Sequence, residues 1–366
     1  MTRIHRSFLS EKWMFRSGNY AGNILSKREE LYMNTNSNLI LNTLGVPIIY
    51  DLESLSEQLS ITKTYLYMLS RKQHLFYETA QIPKKDGSMR KLHAPVRSLK
   101  VVQKWILVEI LEKVKVSPYA MAFVPGKNGL KENALLHKDR VFILEMDIHD
   151  FFGSITQRDV FHLFTKIGYN YTISAILANL CTYEGVLPQG AVTSPYIANL
   201  ICYNLDMRLS ALCNKRDIVY TRYADDLSFS SDNRTRLNRI ERLLKEIVRD
   251  EGFEINDKKT RYFSNDRKKT VTGITINDRE IHADRKLKQR IRSKIFHAVS
   301  EADYSEAAQI RGLIAFVDSI EDGYRDQMAC YMEGLALKKE LRRSAKVVRA
   351  YNENKLFRDL EDMIPL

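Results

Sequence analysis

Ile218-Val219-Tyr220-Thr221-Arg222-Tyr223-Ala224-Asp225-Asp226-Leu227-Ser228-Phe229-Ser230-Ser231 reads as two short strands, Ile218 to Arg222 and Leu227 to Ser231, folded back at a tip that carries two adjacent acids. Like charges a few ångströms apart raise each other's proton affinity. The pair at this tip, flanked by apolar residues, is unfavourable unless something positive binds, and a divalent cation removes the penalty. Taken alone, an Asp-Asp pair is more often a solvated turn. The reading therefore depends on what else the chain brings to the same place.

Upstream, Val141 to Ile148 is a near-continuous apolar run, the pattern of a strand buried on both faces, and Asp147 ends it. If this strand neighbours the hairpin, Asp147, Asp225 and Asp226 converge. Oxygen-only ligation suits Mg²⁺, which keeps some waters and takes substrate phosphates as its remaining ligands. Two such ions clamp the attacking and leaving oxygens of a phosphoryl transfer.

Around these strands the chain alternates. Leu52, Leu55 and Leu59 fit one helical face, and a second helix covers Lys63 to Leu69. Ile82 to Ser88 is a strand entering a turn at Asp86-Gly87. Leu99, Val102, Ile106 and Ile110 mark an amphipathic helix over Ser98 to Val114. Asn133 to His137 is a helical turn. Gln157 to Ile167 and Thr172 to Cys181 read as helices. Ser194-Pro195 opens a long helix to about Cys213, with proline in the first turn, where it removes no needed donor. Thr235 to Asp250 is amphipathic, Phe253 to Ile276 returns to strands, and from Arg285 the pattern is helical. The expectation is an α+β core followed by an all-helical tail, divided as 1–45 (a polar extension), 46–280 and 281–366.

Composition narrows the class. The chain of 366 residues is 44% hydrophobic and 28% charged, ordinary for a globular protein. It contains no run of about twenty apolar residues and no secretory signal, so no membrane is expected and the location expected is cytoplasmic. The four cysteines, at 181, 202, 213 and 330, have no metal-site spacing and read as free thiols. The net charge of +12 is uneven: residues 1–140 hold 22 Lys and Arg against 12 Asp and Glu, while residues 141–280 hold 19 of each. A basic surface attracts polyanions.

The motifs carry more. Tyr223-Ala224-Asp225-Asp226 resembles the YxDD motif of reverse transcriptases, and Asp147-Ile148-His149-Asp150-Phe151-Phe152 resembles their first catalytic block. Leu187-Pro188-Gln189-Gly190-Ala191-Val192-Thr193-Ser194-Pro195 is similar to the LPQGxxxSP block. Gly252 to Thr260 is similar to the GFxxNxxKT block, and Ile82 to Pro95 to the fingertip block. All stand in the family's order, over roughly 50–280. The resemblance implies a right-hand polymerase fold, with fingers and an antiparallel palm sheet in 46–280 and a helical thumb in 281–366. It implies that Asp147 and Asp225 are shared metal ligands, with Asp226 more indirect. Phe152 would lie under the incoming sugar and disfavour a 2′-hydroxyl. Gln189 and Gly190 would contact nucleotide and template. Arg90 with Lys84 or Lys85 would grip the triphosphate of a deoxynucleoside triphosphate, and Lys259 would serve the leaving pyrophosphate.

Two shorter elements resemble the retron branch: Asn133-Ala134-Leu135-Leu136-His137 (NAxxH) and Val271-Thr272-Gly273 (VTG). Their polar groups suit reading of a structured RNA, so Asn133, His137, Val271, Thr272 and Gly273 are the expected RNA contacts. By that resemblance the enzyme binds its own structured non-coding RNA, starts from a guanosine 2′-hydroxyl and copies part of the RNA into single-stranded DNA, leaving a branched hybrid (msDNA). Retron enzymes serve anti-phage defence beside an effector, here expected as a separate protein. No RNase H constellation is visible, so a host RNase H would remove template. Basic clusters at Arg285 to Lys294 and Lys338 to Arg349 fit a thumb that tracks a duplex; residues 1–45 could dock RNA or an effector. Other readings are a group II intron or diversity-generating reverse transcriptase, a template-independent polymerase of the abortive-infection kind, and a non-catalytic RNA-binding scaffold.

Overall fold

The computed structural model describes residues 38–83, 87, 89–264, 269–277, 279–301 and 303–339. Most of the amino-terminal extension, Lys84, Lys85 and nearly all of the second basic cluster lie outside them.

Three antiparallel sheets order the chain. Tyr77–Pro83 (β1) and Met89–Pro95 (β2) form a hairpin. Phe142–Asp147 (β3), Val219–Tyr223 (β4), Asp226–Ser231 (β5) and Arg261–Phe263 (β6) form a four-stranded sheet in the order β4-β5-β3-β6. Lys269–Val271 (β7), Ile274–Asn277 (β8) and Glu280–His282 (β9) form a third sheet. The helices are Leu52–Leu59 (α1), Lys63–Arg71 (α2), Arg97–Glu109 (α3), Gly129–His137 (α4), Phe151–Ser154 (α5), Gln157–Ile167 (α6), Tyr171–Cys181 (α7), Ser194–Ile201 (α8), Tyr203–Asn214 (α9), Arg234–Asp250 (α10), Arg285–Glu301 (α11), Ala307–Asp318 (α12) and Tyr324–Lys339 (α13).

Strand alternation gives the four-stranded sheet two different faces. Leu144, Met146, Leu227, Phe229 and Tyr220 enter the main hydrophobic core. Full burial of a side chain such as Leu144 or Phe229 contributes about 1.5–3 kcal/mol. α10 covers this side because Leu237, Ile240, Leu244 and Ile247 recur on one helical stripe. On the opposite face, Ile143 packs with Val271 of β7 and Ile276 of β8. The helices α11, α12 and α13 share a separate core built on Ile291, Ile295, Val299, Ile314, Val317 and Met328, which Ile274 and Ala134 join.

Several boundaries differ from the sequence reading. Asn133 to His137 is the second half of a full helix, α4, started by Asn128, whose side chain accepts the Lys131 amide. The helix expected from Ser194 to Cys213 is two helices interrupted at Cys202; Asn199 on the first and Asp206 on the second both bond Arg222. The helix from Arg97 tightens into a 3₁₀ turn over Leu111–Lys113. Leu41, assigned to the extension, is buried in the main core against Gly168. Cys181, Cys202 and Cys213 are buried free thiols, while Cys330 on α13 is exposed.

Candidate active site

The acids share one end of the sheet because the strands set their register. Asp147, the last residue of β3, is the Cα partner of Asp226, the first residue of β5. Tyr223 pairs with Asp226 across the hairpin, leaving Ala224 and Asp225 as its two-residue turn. Ala224 is left-handed, with φ 56°, which costs an L-residue about 1–2 kcal/mol. The turn is held by the Ile148 amide donating to the Asp225 carbonyl at 2.9 Å, and by Arg222 Nη1 donating to the Ala224 carbonyl at 3.3 Å.

Burial and mutual repulsion define the electrostatics. Burial first, then the charges of Asp225 and Asp147, push the Asp226 carboxyl up to about 6. Burial and Asp147 likewise hold Asp225 above the usual carboxylate range, against the pull of Lys259 and Arg90. Lys259 Nζ donates to Asp147 Oδ2 at 2.7 Å. The donor set is carboxylate oxygen only, which suits a hard divalent cation. Among the described residues, no three His, Cys, Asp or Glu side chains close on one point at ligand spacing.

Arg90 on β2 is exposed and close enough to Asp225 to bear on its charge. Phe152 is half-buried, its ring 5.3 Å from that of Phe151. Gln189 accepts the His93 amide through its carbonyl at 2.9 Å. Gly190 has φ +120°, and a Cβ there would sit 3.0 Å from the His93 carbonyl oxygen. The close approach that glycine permits is therefore to the β2 backbone. Lys84 and Lys85 lie outside the described residues.

The residues expected to read RNA sit elsewhere, and most are sealed from solvent. Asn133 and His137 are both 0% exposed, with their polar atoms bonded to Thr221, Ser230 and Thr272. Val271 is 0% exposed in the small core with Ile143 and Ile276. In this fold the polar side chains of Asn133 and His137 are bonded internally, and Val271 is core. Thr272 and Gly273 form a two-residue hairpin turn with φ 47° and 84°, the left-handed pair that such tight turns require. Gly273 is exposed there.

Sequence reasoning missed two groups. Arg222 and Asp206, each with a 0% exposed side chain, form a bidentate ion pair at 2.8 Å and 2.8 Å. Tyr220 also donates to Asp206, and Arg222 to Asn199. A lone arginine in an apolar strand was the available signal, since a buried charge must find a partner. Glu145 stands two residues before Asp147 and on the same face; burial first and Asp226 next push its carboxyl up to about 7, against the pull of the nearby Thr272 backbone. Its acid in mid-strand was likewise legible.

Comparison with known proteins assigns the family. The family model described as reverse transcriptase (RNA-dependent DNA polymerase) matches residues 82–276. The chain is 35% identical over 309 residues to the retron Ec86 reverse transcriptase of Escherichia coli, covering 84% of this chain and 95% of that protein. It is 35% identical over 308 residues to the retron Mx65 reverse transcriptase of Myxococcus xanthus, covering 78% and 72%. Among solved structures, a telomerase from Candida albicans aligns with 75% of this chain and 65% of that chain at a TM-score of 0.45 and 10% identity. The family match and the site define a reverse transcriptase, an RNA-directed DNA polymerase of right-hand fold. Within that class, the chain belongs to the retron-type reverse transcriptases.

Proposed function

We propose that this reverse transcriptase copies part of its own structured non-coding RNA into single-stranded, branched DNA in a retron defence system, acting in the cytoplasm with a separate effector protein and a host RNase H. The relatives named as retron enzymes support the branch. Among the described residues, no helix is long and apolar enough to cross a membrane. The observation that carries the chemistry is the placement of Asp147, Asp225 and Asp226 at adjoining strand ends. In this reading the four-stranded sheet is the palm, the β1–β2 hairpin the fingertips, and α11 to α13 the thumb.

Asp147 and Asp225 would hold Mg²⁺, two ions in all, with Asp226 beside them; the bound cations would neutralise phosphate charge during transfer. Arg90, with Lys84 or Lys85, would take the triphosphate by forked, charge-assisted bonds. Lys259 would leave Asp147 for the leaving pyrophosphate, and Phe152 would exclude a 2′-hydroxyl. Gln189 and Gly190 would set the template-side wall. The test is extension of a DNA primer on an RNA template by the purified chain with Mg²⁺, and analysis of co-purifying nucleic acid for a DNase-sensitive branched component. Extension with a branched component supports the whole reading. Extension without one would remove the retron product and leave the polymerase.

A further inference from the structure

Helix α4 touches two bodies at once. Its Ala134 enters the core of the carboxyl-terminal bundle. Asn128 at its start donates to the Ser319 carbonyl at 2.8 Å, and Lys131 pairs with Asp322 at 2.8 Å. Its other side, through Asn133 and His137, faces the strands that carry the acids. No water reaches these two side chains, both 0% exposed, so every polar bond they make is internal.

The direction of those bonds follows from counting protons. The Thr221 hydroxyl donates its single proton to Asn133 Oδ1. Thr221 must then accept from His137 Nε2, at 2.7 Å. Burial first, and the nearby charges of Arg140 and Lys269, hold the imidazole proton affinity down to about 3, so the ring is neutral and carries one N–H. Its Nδ1 therefore accepts from the Ser230 hydroxyl, at 2.6 Å. At the other end, Asn133 Nδ2 donates to the Thr272 hydroxyl at 3.3 Å. The result is a one-way chain, Ser230 to His137 to Thr221 to Asn133 to Thr272, in which each bond polarises the next. Ser230 belongs to β5 and Thr221 to β4, the two strands that meet at Asp225 and Asp226. Glu145 of β3 lies close enough to the Thr272 backbone for it to bear on the carboxyl's charge.

We propose that Asn133, His137 and Thr221 are positioning residues, whose buried hydrogen-bond chain fixes the acid-bearing strands against the Thr272–Gly273 turn and the helical bundle, rather than contacts for RNA. This rests on the polymerase reading above. It makes the two elements that single out the branch, Asn133 to His137 and Val271 to Gly273, parts of one internal joint.

The test uses the full chain extending oligo(dT) on poly(rA), with the affinity for that duplex measured by fluorescence anisotropy. Thr221→Val removes the central hydroxyl and strands two buried partners. It is expected to lower kcat by about 10–100-fold, the effect of a misplacement near 1 Å, with the duplex Kd and the nucleotide KM held within about twofold. Thr221→Ser restores the hydroxyl and is expected to recover most of kcat. Thr272→Val cuts the last link at a half-exposed turn and is expected to lower kcat by about threefold or more through one lost hydrogen bond. Combined with Thr221→Val it should add little, because that chain is already broken. The proposal is overturned by a weakened duplex Kd with intact kcat, by Thr221→Ser failing as badly as Thr221→Val, or by fully additive losses. If Thr221→Val does not fold, Thr272→Val decides alone: lower kcat at unchanged Kd supports the joint, and an unchanged kcat ends it. Failure of the unaltered chain to extend the primer would remove the polymerase reading itself, and the joint with it.

Discussion

Replacing Asp206 by leucine removes both acceptors from a guanidinium that has no access to solvent. Arg222 and Asp206 side chains are each 0% exposed and joined by two bonds of 2.8 Å. Deleting one partner of such a pair costs about 3–5 kcal/mol, because the remaining charge stays buried and uncompensated. Tyr220 loses the acceptor of its 2.8 Å bond as well, worth about another 1 kcal/mol. Against a typical total stability of about 5–15 kcal/mol, Asp206→Leu should unfold at a much lower urea concentration, read by far-ultraviolet circular dichroism. The double variant Asp206→Leu with Arg222→Met replaces both charges by apolar groups, and stability should return to within about 1–2 kcal/mol of the parent. Activity should not return with it. Arg222 also donates to the Ala224 carbonyl at 3.3 Å, and without that bond the left-handed tip loses a support. Primer extension by the double variant should remain about 10-fold or more below the parent. An unchanged urea midpoint for Asp206→Leu, or full activity in the double variant, would refute the reasoning.

Asp225→Asn with Asp226→Asn should abolish DNA synthesis in Mg²⁺ while duplex binding by anisotropy survives; residual synthesis at the parental rate would reject the metal assignment. Phe152→Ala should admit ribonucleotides more readily, measured as the ratio of kcat/KM for ribo- and deoxynucleotides, and an unchanged ratio would remove Phe152 from sugar selection. Asp226 and Glu145 have carboxyls raised to about 6 and about 7, so the folded chain binds their protons more tightly than the unfolded chain. In chelator, stability contributed by these protons should be present near pH 4 and lost as pH rises towards 7; thermal melts should show that slope, flattened by Asp226→Asn. Added Mg²⁺ should raise Tm more at pH 7.5 than at pH 5. Gly190→Ala puts a Cβ 3.0 Å from the His93 carbonyl at φ +120°, so it should lower stability by about 1–2 kcal/mol and raise KM for nucleotide; a parental KM would detach Gly190 from the nucleotide wall.

The strand-turn-strand around Asp225 and Asp226 was legible because apolar alternation and a tight tip are local properties. Placing Asp147 beside it required a long-range pairing, Asp147 with Asp226, which only the family resemblance supplied. The break at Cys202 left no local mark, because the residues from Ser194 onward keep a helical pattern; the Arg222 partners on either side of it come together only in the fold. The burial of Asn133 and His137 is hidden from the sequence for a related reason. Polar side chains on a short helix look solvent-facing until the partners that neutralise them, Thr221 and Ser230, arrive from strands much later in the chain.

The thiols differ sharply in what can reach them. Cys181, Cys202 and Cys213 are buried, with proton affinities pushed up to about 12 by that burial. The fourth cysteine, Cys330, faces solvent on α13. A maleimide dye at neutral pH should therefore attach at one defined place on the native fold, with no engineering of the chain. That gives a ready-made optical reporter on the helical bundle, able to follow its movement against a labelled duplex in real time.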